Sequence, residues 1–232
     1  MYSITKAGRH GHIAPIRGNP CCRKLDKETY LDLRDGEIKK YDIKATKDFQ
    51  NLSMAKQKCI DIIHTNLTST SFFVSCTTQE NIQDRNRFFY YMNRFTKTDV
   101  FRKHFGTSFL YTVEKQKRGA LHSHLIVFEP LKSWVDYAAL REAWRHIVGG
   151  LGSVNIKHID DPDNIGKYLA KYILKEFASV EKYKRVFVPS KGLQQPRKWT
   201  ADYKEFKAFL PSGAREKRKI IDGKEILIGW YW

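Results

Sequence analysis

Two histidines one residue apart sit inside the apolar stretch "RGALHSHLIVF", residues 118–128. A strand alternates faces with a period of two, so the rings of His122 and His124 share one face. Two imidazoles on one face can hold a metal, or they can be solvent-facing residues of a half-buried strand. The preceding run "TSFLYTVEKQ", 107–116, reads as a second strand. "KRG" at 117–119 then reads as a three-residue turn with Gly119 in the left-handed conformation. In that register Glu114 lies opposite His122 and Thr112 opposite His124, which puts Glu114 on the histidines' face. Two imidazoles and one carboxylate on adjacent strands would make an open site for Mg²⁺ or Mn²⁺. A cross-strand Glu–His hydrogen bond at the surface is the other reading.

A second group lies in "YLAKYILK", residues 168–175. Tyr168 and Tyr172 are four residues apart and share a helix face, and Lys171 and Lys175 each follow a tyrosine by three. A tyrosine hydroxyl, with a pKa of about 10, is a weak nucleophile at neutral pH. A nearby lysine can favour the phenolate or offset the charge of a transferred phosphate. A metal can polarise a phosphodiester and orient it for in-line attack. The same spacing also suits two aromatics packed on a sheet with two lysines in water. A third group, "HGH" at 10–12 with "CC" at 21–22, offers zinc ligands. Adjacent cysteines chelate poorly together, however, and no CxxC spacing occurs.

These residues need elements to position them. Residues 1–28 read as a basic arm containing glycine and proline, and 29–43 as a hairpin turning at Asp35-Gly36. A helix is expected over 53–67, with Ser53 as cap and Ile60, Ile63 and Leu67 on one face. A strand at 71–78 precedes a second helix from Glu80 to His104. The two strands of the histidine hairpin follow, at 107–116 and 120–128. A helix opened by Ser133 and closed by Gly149-Gly150 leads to a strand at 152–159. The last expected helix, 161–177, has Asp161 at its cap and Pro162 in its first turn. The tail beyond 180 is basic and mixed in pattern. The order strand, helix, strand, strand, helix, strand predicts an α+β fold with a central antiparallel sheet of ferredoxin-like (RRM-like) type and packed helices. The domain expectation is an arm and hairpin at 1–48, a core at 49–180 and an extension at 181–232.

The 232 residues carry 42 Lys and Arg against 25 Asp and Glu, a net charge of +17 that calls for an anionic partner. The basic residues are spread through the chain among aromatics, which suits a nucleic-acid groove rather than a local membrane patch. No apolar run is long enough to span a bilayer, and the first residues lack the apolar middle of a signal peptide. Cys21, Cys22, Cys59 and Cys76 are expected to be reduced, in a cytoplasmic setting.

Glu114, "RG" at 118–119, "HSH" at 122–124 and "YLAKYILK" together resemble the HUH endonucleases. Among these the likeness is to the rolling-circle replication initiator (Rep) proteins of bacterial plasmids and single-stranded DNA phages. "FFVSCTT", 72–78, stands where that family has an apolar-Thr-Leu-Thr strand, with Ser75-Cys76-Thr77 as a departure. Ser123 stands between the histidines where the family more often has a bulky apolar residue. "RVFVPSKGLQQP", 185–196, resembles a segment that follows the tyrosine helix in these initiators. The likeness spans roughly 50–196.

The resemblance implies a sheet of HUH type and a nickase-ligase in which His122, His124 and Glu114 hold Mg²⁺ or Mn²⁺. Tyr168 or Tyr172, assisted by Lys171 and Lys175, would attack a phosphate of single-stranded origin DNA and form a 5′-phosphotyrosine link. The implied partners are single-stranded DNA and an origin hairpin, with no membrane, in a bacterial cytoplasm. No GxxxxGK[ST] phosphate loop occurs, so strand opening would fall to a host helicase or to supercoiling. A transposase or relaxase of a mobile element would use the same residues on another substrate. A non-catalytic nucleic-acid-binding module would bind without metal-dependent cleavage and would leave the Glu–His–His group unexplained. A metal-dependent hydrolase of small molecules would carry its HxH on the first strand of a barrel of about 250 residues, not in mid-chain.

Overall fold

The computed structural model describes residues 2–15, 22–26, 28–33, 35–40, 44–159, 165, 187–202, 205, 208, 210–221 and 224–231. The chain divides into two compact units, one of Met1–Ala55 with Arg197–Trp232 and one of Lys56–Pro196. The described residues form two five-stranded antiparallel sheets, a three-stranded one and four helices.

The unit Lys56–Pro196 is built on β6 (Phe72–Thr78), β7 (Phe109–Lys115), β8 (Leu121–Val127), β9 (Gly152–His158) and β10 (Phe187–Pro189). The strands lie in the order β10-β7-β8-β6-β9, and every neighbouring pair is antiparallel. Helices α2 (Arg85–Phe95) and α3 (Asp99–Phe105) link β6 to β7, and α4 (Tyr137–Val148) links β8 to β9. The strand period sorts the side chains. Leu121, Ser123, Leu125 and Val127 of β8 face the helices, where the apolar three meet Val74, Val113, Phe88, Met92, Phe95 and Trp144 in one core. Ser123 is fully buried there and donates to Met92 Sδ at 3.1 Å, so a small residue fits beneath α2 where a bulky one is usual in the resembling family.

Helix boundaries follow the caps. The single helix expected from Glu80 to His104 is two. Asp84 accepts from the amides of Asn86 and Arg87 and starts α2. Thr98 is extended, and its hydroxyl accepts from Phe101 N to start α3 anew. Asp136, not Ser133, caps α4 by accepting from Ala139 N, and Gly149 ends it in the left-handed conformation as expected. Helix α1 runs Lys44–Asn66, so the helix expected from Ser53 begins earlier, and it buries Cys59, Ile62 and Ile63. The helix expected over 161–177 lies outside the described residues.

The other unit holds a sheet ordered β11-β1-β2-β13-β12, from β1 (Tyr2–Ala7), β2 (His10–Pro15), β11 (Arg197–Ala201), β12 (Arg215–Ile221) and β13 (Lys224–Tyr231). Residues 1–28, expected as an arm, therefore contain a hairpin with Ile4 opposite Ile13. Its apolar signal is only two isoleucines in a basic, glycine-containing run, too sparse to read as alternation. Trp230 lies over Gly11, where an added Cβ would meet the indole at 2.2 Å. Strands β3 (Cys22–Lys24), β4 (Thr29–Asp32) and β5 (Ile38–Lys40) form the third sheet. The expected Asp35-Gly36 turn is wider than two residues: Asp32 N donates to Glu37 O at 2.9 Å, leaving 33–36 as the loop. The Asp35 carboxylate shapes that loop by accepting from Glu37 N at 3.0 Å.

Candidate metal centre

The histidine hairpin has the expected register. Glu114 pairs with His122 and Thr112 with His124, and Gly119 in the turn has φ +88°. The tip is fastened to the end of β6: Arg118 donates to the carbonyls of Thr78 and Gln79, and Asn81 Nδ2 donates to Arg118 O at 3.2 Å. Arg118 thus sets the inclination of the strands that carry the site. The sequence marks it only as the residue before the turn glycine.

Three ligand atoms converge on the face opposite the helices. His122 Nε2 lies 2.8 Å from His124 Nε2. Glu114 Oε2 lies 3.2 Å from His124 Nε2 and 3.5 Å from His122 Nε2. Among the described residues this is the one group of three or more His, Cys, Asp or Glu with converging ligand atoms. Glu114 is 3% and His124 7% exposed, so the carboxylate and one ring are out of bulk water while His122 keeps some access. The donor set fits a divalent cation. Bonds of about 2.1 Å at right angles put neighbouring ligand atoms about 3.0 Å apart, close to all three separations. A nitrogen–nitrogen–oxygen triangle suits Mg²⁺, Mn²⁺ or a later transition metal, and the remaining positions lie open for water and substrate oxygens.

Neighbouring strands aim the ligands. Ser75 of β6 pairs with His124, and its Oγ lies 3.3 Å from His124 Nδ1, which leaves Nε2 for the ion. Phe73 stacks on the His124 ring at 5.5 Å between centroids. Thr112 is buried opposite His124, and its Oγ1 has no hydrogen-bond partner among the described residues, so this face has room for one more polar group. Ser75, Phe73 and Thr112 went unremarked as site residues in the sequence. Their signal was the period-two placement of 73, 75 and 77 beside 122 and 124 across a sheet order that the sequence alone leaves open.

The other expected site residues are not brought to this face by the described structure. Tyr168, Lys171, Tyr172 and Lys175 lie outside the described residues. His10 and His12 stand on β2 with no third metal ligand grouped with them among the described residues, and Cys21 is not described. Cys76 points into the helical core, and burial pushes its thiol up to about 12, against a smaller opposing effect of the Ser123 hydrogen bond. No described helix is long and apolar enough to cross a membrane.

The family model of the replication-associated protein ORF2, the phage rolling-circle Rep type, matches residues 71–177. The match begins at β6, runs through the histidine hairpin and β9, and includes the Tyr168–Lys175 stretch. No curated protein and no solved structure matches the chain. The matched span has the buried Glu114–His122–His124 group at its centre, and through it the chain belongs to the replication-associated protein ORF2 family, a family of HUH-type replication initiators.

Proposed function

We propose that this chain is a rolling-circle replication initiator that nicks and rejoins single-stranded origin DNA through a 5′-phosphotyrosine intermediate. The observation that carries the reading is the convergence of His122 Nε2, His124 Nε2 and a Glu114 carboxylate oxygen on one sheet face within a replication-protein family match. The strand order β9-β6-β8-β7, antiparallel throughout and connected as strand, helices, strand, strand, helix, strand, supports a ferredoxin-like sheet of HUH type. Residues 49–180 form the endonuclease core in this reading.

His122, His124 and Glu114 hold Mg²⁺ or Mn²⁺, which when bound polarises the scissile phosphodiester. Ser75 and Phe73 fix the His124 ring. The Tyr168 or Tyr172 oxygen attacks phosphorus, the bond from phosphorus to the 3′-oxygen breaks, and that oxygen leaves with a proton as the 3′-hydroxyl. Lys171 and Lys175 offset charge at the tyrosyl phosphate. Attack by a 3′-hydroxyl on the phosphotyrosine reverses these steps and frees the tyrosine. The substrate is the single strand exposed at an origin hairpin, opened by supercoiling or by a host helicase in the cytoplasm of a bacterial host.

The test is incubation of the full chain with labelled single-stranded origin DNA and Mn²⁺, followed by denaturing electrophoresis. A protein-linked DNA band is expected, absent with a chelator and absent in His124→Ala. Cutting by His124→Ala at the wild-type rate would overturn the reading.

A further inference from the structure

We propose that the outer face of α2 is a second binding site for single-stranded DNA, on the side of the sheet away from Glu114, His122 and His124. The site goes beyond the nicking reaction and rests on that reading only in requiring that the chain bind a single strand. Helix α2 turns Phe88, Met92 and Phe95 into the core and covers the sheet face that carries Ser123. His122 and His124 alternate with Ser123 and so face the other way.

Outward, α2 presents rings and cations in helical register. Arg85 lies over Phe89 at 5.4 Å, Arg87 over Tyr91 at 5.5 Å and Arg94 over Tyr90 at 5.8 Å. A groove of about 570 Å³ runs along this face, lined by Arg85, Asn86, Phe89, Tyr90, Asn93 and Tyr111. That volume falls within the range of sites that enclose small ligands. Among the described residues Arg85 is the only charged one lining it, and no carboxylate does, so an anion is favoured. Tyr90 leaves 55% of its surface in water, a costly position for an aromatic unless something stacks on it.

The lining matches one chemistry closely. Aromatic faces stack on any base, a guanidinium pairs with phosphate, and the Asn86 and Asn93 amides both donate and accept, so they can meet the edge of any base. An apolar peptide would bury the two amides and the guanidinium without partners. A single strand satisfies all of them, and the net charge of +17 favours the same partner. Such a grip would hold the strand flanking the cut while the ends await resealing.

The experiment uses the full chain with a chelator present and a labelled thymidine homopolymer long enough to reach both faces, read by fluorescence anisotropy. Tyr90→Ala and Arg85→Ala are each expected to weaken binding by about 5- to 100-fold, the usual effect of losing one stacking contact. Tyr90→Phe, which keeps the ring, is expected to bind as wild type. Covalent-adduct yield on a short oligonucleotide covering only the cut site is expected to be unchanged in all three. Wild-type affinity in Tyr90→Ala and Arg85→Ala, or equal loss in Tyr90→Phe and Tyr90→Ala, would overturn the proposal while leaving the nicking reading intact. Displacement of the homopolymer by thymidine monophosphate at comparable concentration would assign the groove to a mononucleotide and overturn it as a strand site. A wild-type chain that binds no single strand would overturn both readings.

Discussion

His122 and His124 meet Glu114 because a three-residue turn sets the register and the strand period does the rest. His122→Ala, His124→Ala or Glu114→Gln is expected to lower nicking by at least about 100-fold, because each removes one of three protein ligands. Affinity for DNA, measured with a chelator, is expected to stay within about twofold, since it rests on cations meeting phosphates. Ser75 acts only through His124. Ser75→Ala is expected to raise the Mn²⁺ concentration for half-maximal nicking by about tenfold with little change in the saturated rate. His104 has a different consequence. It is 4% exposed with its ring against the edge of Trp134, and burial, with help from Lys132 and Lys103, holds its pKa below the usual 6.5 against the pull of Asp136. The unfolded chain therefore takes up a proton first as pH falls. Stability is fully present above about pH 6.5 and is lost as pH drops through the lower folded-state value. Urea midpoints are expected to fall below pH 6.5 in the wild type and to fall less in His104→Gln.

At the level of elements, the rear of the site depends on one glycine. A Cβ on Gly152 of β9 would meet Trp144 at 2.7 Å and Thr77 O at 3.2 Å. Trp144 Nε1 donates to that same carbonyl at 2.7 Å, and Thr77 pairs with His122. Gly152→Ala is expected to cost about 1–3 kcal/mol in chemical denaturation, as overpacking does, and to depress nicking through Thr77. The elements around this site were largely legible in the sequence. Apolar runs at 71–78, 107–116 and 120–128 are dense, and the turn glycine at 119 fixes how two of them pair. Legibility failed where local competitors decided. Thr98 restarts a helix that helical periodicity alone would continue, and Asp136 takes the cap from Ser133. The hairpin of β1 and β2 was hidden because its few apolar residues stand among lysine, arginine, histidine and glycine. What aims His124 was hidden too, since Ser75 reaches it only through the β6–β8 pairing, a contact between residues 49 apart in sequence.

For the whole molecule, charge sets the scale of binding. With 42 basic against 25 acidic residues, the chain must displace several condensed cations from any strand it holds. Single-strand affinity is expected to drop about 100-fold between about 50 and 200 mM salt, the slope of roughly five phosphate contacts, and a flat profile would argue against a charge-driven interface. The central claim joins metal and nucleophile: three ligands on the sheet serve a tyrosine of the 168–175 stretch. Trapping the adduct with Mn²⁺, digesting it and locating the nucleotide by mass spectrometry tests that join most directly. The nucleotide is expected on Tyr168 or Tyr172. Loss of the adduct in one Phe variant would mark a single nucleophile, and loss only in the double variant would mark alternation. Undiminished adduct in the Tyr168→Phe, Tyr172→Phe double variant, or adduct on a residue outside this stretch, would contradict the account.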